Sequence, residues 1–220
     1  MVKKEFSKFA KEYSKKNFIQ KQVIKKETSH IKNRNILDLG CGNGSLLEFI
    51  KPTNYIGIDF SREMLKLHSH KNIFEFDFNT IECWNFIQKQ NFDILVSFSA
   101  LQWANNLDFI FEQIKKIDKD FILVLFTSNT FKTIHKTANI NSPIHSKNKI
   151  IESSKILNPQ IEISNYKLHF EDKLEMFRYI KQSGVSGGEK KLSFKEIKNL
   201  IDNYPLDYLE FEVITLKKRN

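Results

Sequence analysis

The sequence is poor in chain breakers, with seven glycines and four prolines in 220 residues. So little of either argues against a disordered or fibrous chain. Two cysteines, Cys41 and Cys83, are too few for a disulfide framework and suit a reducing compartment. No apolar run approaches the roughly 20 residues needed to span a bilayer. The opening MVKKEFSKFAKEY is basic but has no uninterrupted apolar stretch, so it does not read as a secretory signal. The six histidines lack metal-ligand spacing, and no metal is expected. No dense block of Lys and Arg interleaved with aromatics appears, which argues against a nucleic-acid partner. The expectation is a cytoplasmic protein with no membrane association.

What is present is apolar mass and positive charge. At 220 residues and 40% hydrophobic the chain can bury one sizeable core, so residues 1–220 are expected to form a single domain. The net charge of +9 favours an acidic partner. A general bias toward Lys, Asn, Ile and Phe is the alternative source of that charge, and the terminal KKR at 217–219 reads as a solvated tail.

Along the chain two periodicities alternate. Residues 3–30 are helical in pattern, with Phe6, Phe9, Ala10 and Tyr13 on one face and Phe18, Ile19, Val23 and Ile24 continuing it. Then come apolar runs at 35–40, 55–60, 73–78, 92–100 and 120–128, each read as a strand. Helical stretches lie between them: 45–51 up to the break at Pro52, 61–70 with Ser61 as N-cap, 80–90, and 106–117. Near-continuous apolar strands separated by amphipathic helices predict a parallel sheet covered on both faces. Residues 129–160 are polar and weakly periodic, read as an insert or lid. Strands at 161–170 and 209–218, with helices at 173–184 and 193–204, complete the pattern.

The first strand–helix turn is D-L-G-C-G-N-G, carrying Asp38, Gly40, Gly42 and Gly44. Glycines at alternate positions let a backbone come close to a ligand. A dinucleotide loop would read G-x-G-x-x-G, and a phosphate loop would add a Lys followed by Ser or Thr. Here the spacing is G-x-G-x-G and an acid precedes the first glycine. That acid would repel a pyrophosphate and suits an ammonium or sulfonium group. Asp59, nineteen residues beyond Gly40, ends the second strand, where a carboxylate can accept from two ribose hydroxyls. Asp77 ends the third, where it can meet an adenine amino group; a helix cap or turn is the alternative there. Cys41 and Cys83 read as small apolar fillers.

Three acids around this glycine turn resemble the pattern of class I S-adenosylmethionine-dependent methyltransferases, over residues 35–128 throughout. The resemblance implies an α/β, Rossmann-like fold: a mostly parallel seven-stranded sheet, helices on both faces, an antiparallel C-terminal strand and an N-terminal helical lid over 1–30. It implies S-adenosylmethionine as cofactor, with Phe60, Met64, Phe78 and Ser97 beside it and Tyr13 closing over it. Packing of the first helix on the core is the alternative for Tyr13. On this reading 35–128 is the cofactor-binding core and 161–220 completes the sheet.

Three further stretches resemble one subfamily, the malonyl-[acyl-carrier protein] O-methyltransferases of biotin synthesis. They are FSKFAKEYSKKNFIQKQV with Phe6, Ala10, Tyr13 and Gln20; SFSALQWANNL with Ala100, Leu101, Gln102 and Trp103; and YIKQSGVSGG at 179–188. The implied substrate is the free carboxylate of a malonyl thioester, on an acidic acyl-carrier protein or on CoA, methylated on the route to pimelate. The implied substrate residues are Gln102, Trp103, His135 and Lys136. The chain departs from the family at 130–136, TFKTIHK, where His135 stands in place of an arginine that can pair with the malonyl carboxylate. Core packing is the alternative for Trp103, and a surface helix position is the alternative for His135. An ionised carboxylate needs no general base, so no catalytic acid–base residue is expected. Other small carboxylic acids, quinone precursors and a catalytically silent binding module are the competing readings. Motifs typical of nucleic-acid methyltransferases are absent.

Overall fold

The computed structural model describes residues 17–182 and 193–218. Tyr13, the rest of residues 1–16, and most of the 179–188 stretch lie outside the described residues. In chain order the elements begin with helix α1 (Phe18–Thr28), strand β1 (Asn35–Leu39), a 3-10 turn (Ser45–Glu48) and β2 (Asn54–Asp59). Next come α2 (Arg62–Leu65), β3 (Ile73–Glu75), α3 (Ile81–Ile87) and β4 (Ile94–Phe98). A 3-10 turn (Leu101–Trp103), α4 (Leu107–Ile117), β5 (Asp120–Phe126) and α5 (Lys132–Ala138) follow. The chain then runs through α6 (Lys147–Ser154), β6 (Gln160–His169), α7 (Lys173–Gln182), α8 (Phe194–Asn203) and β7 (Tyr208–Lys217).

The seven strands form one sheet in the order β3-β2-β1-β4-β5-β7-β6. The first five are parallel, and β7 runs antiparallel to both β5 and β6. The sheet splits the core in two because alternate residues point to opposite faces. Ile36, Ile122, Val124 and Phe126 face α1, α5, α7 and α8. Leu37, Leu39, Leu95, Leu123 and Leu125 face α3, α4 and α6, with Trp84 and Phe111 fully buried among them. Strand order reverses between β1 and β4, and the carboxyl ends on either side of that point open a crevice, the usual ligand position in such sheets.

Three elements are shorter than their patterns suggest. The helix expected over 45–51 is a single 3-10 turn, entered through left-handed Gly44. It has nowhere to extend, because Pro52 biases Lys51 out of the helical region. The helix expected over 61–70 stops after Leu65, where the bonds Leu67 N–H to Met64 O and His68 N–H to Leu65 O tighten to 3-10 spacing. β3 ends at Glu75, and Asp77 begins a turn by accepting from Asn79 N–H. The stretch 129–160 holds more structure than its polarity suggests. Ile150 and Leu157 join the core beside α4, so α6 is a cover for the sheet, while α5 packs with α8.

Ser61 caps α2 as its sequence position suggests: it is fully buried and its Oγ accepts from Met64 N–H at 3.4 Å. Ser61→Ala is expected to cost about 1 kcal/mol, the usual loss for a removed N-cap, read as a lower urea midpoint with an unchanged slope. No shift in midpoint would mean that this long contact contributes nothing to α2.

Candidate active site

The carboxyl ends of β1, β2 and β4 open onto one cleft, where ligands usually bind in such a sheet. Its floor is the glycine loop. Gly40 N–H and Cys41 N–H both donate to Ile58 O, at 2.7 and 3.0 Å, so the turn is tied to the neighbouring strand. Gly40 has φ +80°, and a Cβ there would lie 2.2 Å from the Ala100 Cβ. Only hydrogen lets the loop pass so close to the segment after β4.

Asp59 braces the loop from β2. Its Oδ2 accepts from Gly42 N–H at 2.9 Å and its Oδ1 from Ser61 N–H at 2.8 Å. Asp59 itself lines the cleft, and a carboxylate oxygen can accept more than one hydrogen bond. Asp38 is 2% exposed and lines the cleft from β1, with Tyr55 Oη donating to its Oδ2 at 2.8 Å. Burial raises its carboxyl to about 7 against the lowering effect of that bond, and the charge of nearby Asp59 raises it further. A buried acid of this kind is a receptor for a cation, whose charge would replace the lost solvation.

The walls are apolar. Phe60, Met64 and Phe78 line one side, and Phe98, Ala100 and Trp103 line the other. Ser99 joins them in left-handed backbone at φ +60°, unusual for a residue with a side chain and typical of strain kept at sites. The roof comes from α1: Asn17, Gln20 and Ile24 line the cleft. Asn17 and Gln20 are both at least nine-tenths buried, and Asn17 Oδ1 and Gln20 Oε1 have no hydrogen-bond partner among the described residues. Both side chains share the cleft with the Asp38 carboxylate, and acceptors without a partner among the described residues are what an ammonium ligand would satisfy.

The structure thus gathers Asp38, Gly40, Gly42, Asp59, Phe60, Met64, Phe78 and Trp103 around one cleft. Gly44 sits just behind the loop, against His68. Ser97 is fully buried and donates to Leu39 O at 2.7 Å, which ties β4 to β1 beneath the cleft rather than lining it. Asp77 is outside the lining as well; it is exposed, and its Oδ1 accepts from both Asn79 N–H and Asn79 Nδ2. Gln102 turns back to donate to Ser99 O at 2.8 Å and leaves Oε1 buried without a partner among the described residues. His135, half-buried on α5, and exposed Lys136 stand apart from the lining. Burial holds the His135 imidazole below its ordinary range. Sequence pattern alone does not single out Asn17, Asn43, Ser45, Phe98 and Ser99 as lining residues, and it brings in Gln20 only as a point of resemblance. Among the described residues no three His, Cys, Asp or Glu converge as metal ligands, and no helix is long and apolar enough to cross a membrane.

Comparison with known proteins agrees with this geometry. The methyltransferase-domain family matches residues 37–120, which span the glycine loop, both acids and β4. The ubiquinone biosynthesis O-methyltransferase of Pelagibacter ubique is 31% identical over 123 residues, 53% of this chain and 51% of that protein. The chain therefore matches about half the length of that relative. The malonyl-[acyl-carrier protein] O-methyltransferase of Bacillus cereus is 21% identical over 220 residues, 86% of this chain and 82% of that protein. Among solved structures, an S-adenosylmethionine-dependent methyltransferase of Thermotoga maritima superposes with a TM-score of 0.57 at 14% identity, covering 100% of both chains. Residues 37–120 are thus similar to a methyltransferase domain, and the fold around them is that of the class I S-adenosylmethionine-dependent methyltransferases.

Proposed function

We propose that this protein is a cytoplasmic S-adenosylmethionine-dependent O-methyltransferase that esterifies the free carboxylate of a malonyl thioester carried by an acidic acyl-carrier protein. The observation that carries the cofactor assignment is the pair of amide oxygens, Asn17 Oδ1 and Gln20 Oε1, without partners among the described residues in the cleft that buried Asp38 also lines. These groups would hold the methionine ammonium. Asp59 would take the ribose hydroxyls, and Phe60, Met64 and Phe78 would flank the adenine. When bound, S-adenosylmethionine supplies an electrophilic methyl group on a sulfonium.

The chain's own residues have a modest chemical task. A malonyl carboxylate titrates near about 4, so at neutral pH it is already a nucleophile and needs no general base. Alignment and exclusion of water remain, and Trp103 with Phe98 forms the apolar wall suited to both. The lining holds neither Lys nor Arg among its described residues, so the cationic partner of the thioester carboxylate would come from α5. His135, kept neutral by burial, would meet it as a hydrogen-bond donor, and Lys136 beside it would supply charge. The +9 net charge would steer an acidic carrier protein.

Support for malonyl over other acceptors is the alignment with the Bacillus cereus protein across 86% of the chain, which includes the Leu101–Gln102–Trp103 stretch. A quinone precursor is the second reading, favoured by the 31% identity to the ubiquinone O-methyltransferase. Labelled methyl transfer to malonyl-carrier protein, malonyl-CoA, free malonate and a polyprenyl catechol, run in parallel, separates them. The expected order is carrier protein first and CoA second, with little transfer to the others. Transfer to no malonyl thioester would sink the malonyl reading.

A further inference from the structure

Two buried titratable side chains beside the glycine loop have no part in the function proposed above. Tyr55 lies on β2 opposite Ile36 and is 2% exposed; His68 follows α2 and is 9% exposed. Tyr55 Oη is 2.8 Å from Asp38 Oδ2 and 3.1 Å from His68 Nε2. The backbone fixes the direction of these contacts. His70 N–H donates to His68 Nδ1 at 3.0 Å, so that nitrogen carries a lone pair and the proton of the neutral ring sits on Nε2. Burial pushes the ring down to about 4, and it is neutral at physiological pH. His68 Nε2–H therefore donates to Tyr55 Oη, and the Tyr55 hydroxyl proton goes to Asp38.

The same imidazole supports the loop directly. A Cβ on Gly44 would lie 2.8 Å from His68 Nε2, and Gly44 is left-handed at φ +87°. One line of donors thus begins against the last loop glycine and ends on the acid before the first. The other ionisable groups around Asp38 do not favour its charge. Asp59 adds a second negative charge from the end of β2, and the Cys41 thiol in the loop is kept protonated by burial. The His70 ring packs edge-on to the Tyr55 ring at 5.0 Å, and its Nδ1 accepts from Asn72 N–H. The Tyr55 hydroxyl is the group that offsets the burial of the Asp38 charge.

We infer that His68 and Tyr55 are positioning residues, a directed pair of hydrogen-bond donors that holds Asp38 ionised and turned toward the cleft for the ammonium group of the bound cofactor. This rests on the reading that the cleft takes S-adenosylmethionine. The relay acts through Asp38 and touches no reacting atom, so its signature is the pH dependence of binding.

The test is calorimetric titration with S-adenosylhomocysteine from pH 5.5 to 8.5, on the full chain and on Tyr55→Phe, His68→Gln and His68→Leu. Wild-type affinity is expected to fall as pH drops through about 7, where Asp38 takes up a proton. Tyr55→Phe removes only the hydroxyl and should move that midpoint up by about one pH unit, since a lost donor disfavours the charged form. Binding at pH 7 would then be about 5-fold weaker, approaching 10-fold toward pH 5.5, and would recover toward pH 8.5. Gln at 68 keeps a donor near the Nε2 position and should track wild type, whereas Leu should shift in the direction of Tyr55→Phe. A Tyr55→Phe protein with the wild-type pH profile overturns the relay, even if it melts earlier. If that variant does not fold, the Gln and Leu pair decides, with equal profiles counting against the relay. Nitrogen-15 NMR of the wild-type imidazole tests the relay independently: a proton on Nε2 supports it, and a proton on Nδ1 overturns it. Failure of the wild type to bind at any pH would instead overturn the cofactor reading of the cleft.

Discussion

Gly40→Ala is expected to abolish cofactor binding and to destabilise the protein by about 2–5 kcal/mol. Two costs add at this position. The backbone has φ +80°, where a side chain costs about 1–2 kcal/mol. The new methyl group would also start 2.2 Å from the Ala100 Cβ, far inside contact distance, and overpacking of that kind costs about 1–3 kcal/mol. The loop has little room to retreat, because Gly40 N–H and Cys41 N–H are both tied to Ile58 O. What yields is the segment after β4, and with it Ser99, Ala100 and Trp103 on the far wall of the cleft. Urea denaturation and calorimetric titration with S-adenosylhomocysteine read the two effects. The double variant Gly40→Ala, Ala100→Gly should regain the overpacking part of the stability and keep the backbone part of the loss. A single variant with wild-type stability and binding would show that the loop and the β4 segment are not locked together.

That close approach of two backbones is the kind of feature a sequence carries only in outline. The pattern of apolar runs placed β1, β2, β4, β5 and β7 within a few residues, because strands buried on both faces must be apolar almost throughout, while exposed β6 showed itself by alternation. The glycine loop and its two acids were legible for a related reason, since each meets a backbone or charge requirement that few other residue types satisfy. The rest of the site depends on pairings remote in sequence. Tyr55 reads as one more aromatic of a buried strand and His68 as a polar residue near a helix end; only the fold sets them in line with Asp38. Asn17 precedes α1 with nothing in its local pattern to distinguish it, and its importance comes from the cleft beneath it. Ser99 looks ordinary until its backbone is seen to be left-handed. The acceptor side was the hardest to read. Gln102 and Trp103 are neighbours in sequence, yet one turns back to Ser99 O and the other lines the cleft. The polar stretch 129–160 concealed a helix, α6, that joins the core through Ile150, with Leu157 of the following 3-10 turn (Lys155–Leu157) beside it.

Asp59→Ala should be the most damaging change to cofactor affinity among substitutions that spare the backbone. The carboxylate accepts from two loop amides, Gly42 N–H and Ser61 N–H, so its removal leaves two donors without their partner. Each such loss costs about 1–3 kcal/mol where the amide is buried. In the proposed complex the ribose hydroxyls lose their acceptor as well, and affinity for S-adenosylhomocysteine should fall by about 100-fold or more, the scale of a charged hydrogen-bonding group withdrawn from a buried site. Asp59→Asn separates the two roles. The amide keeps the shape and can accept from one loop N–H, but its NH2 group must face the other, so part of the stability should return. Recovery of affinity should be small, because the charge and one acceptor are still missing. Stability follows the loop amides and affinity follows the ribose, so the two readouts need not move together. If Asp59→Ala loses stability yet binds S-adenosylhomocysteine as wild type does, Asp59 is a brace for the glycine loop alone and the ribose must be held elsewhere in the cleft.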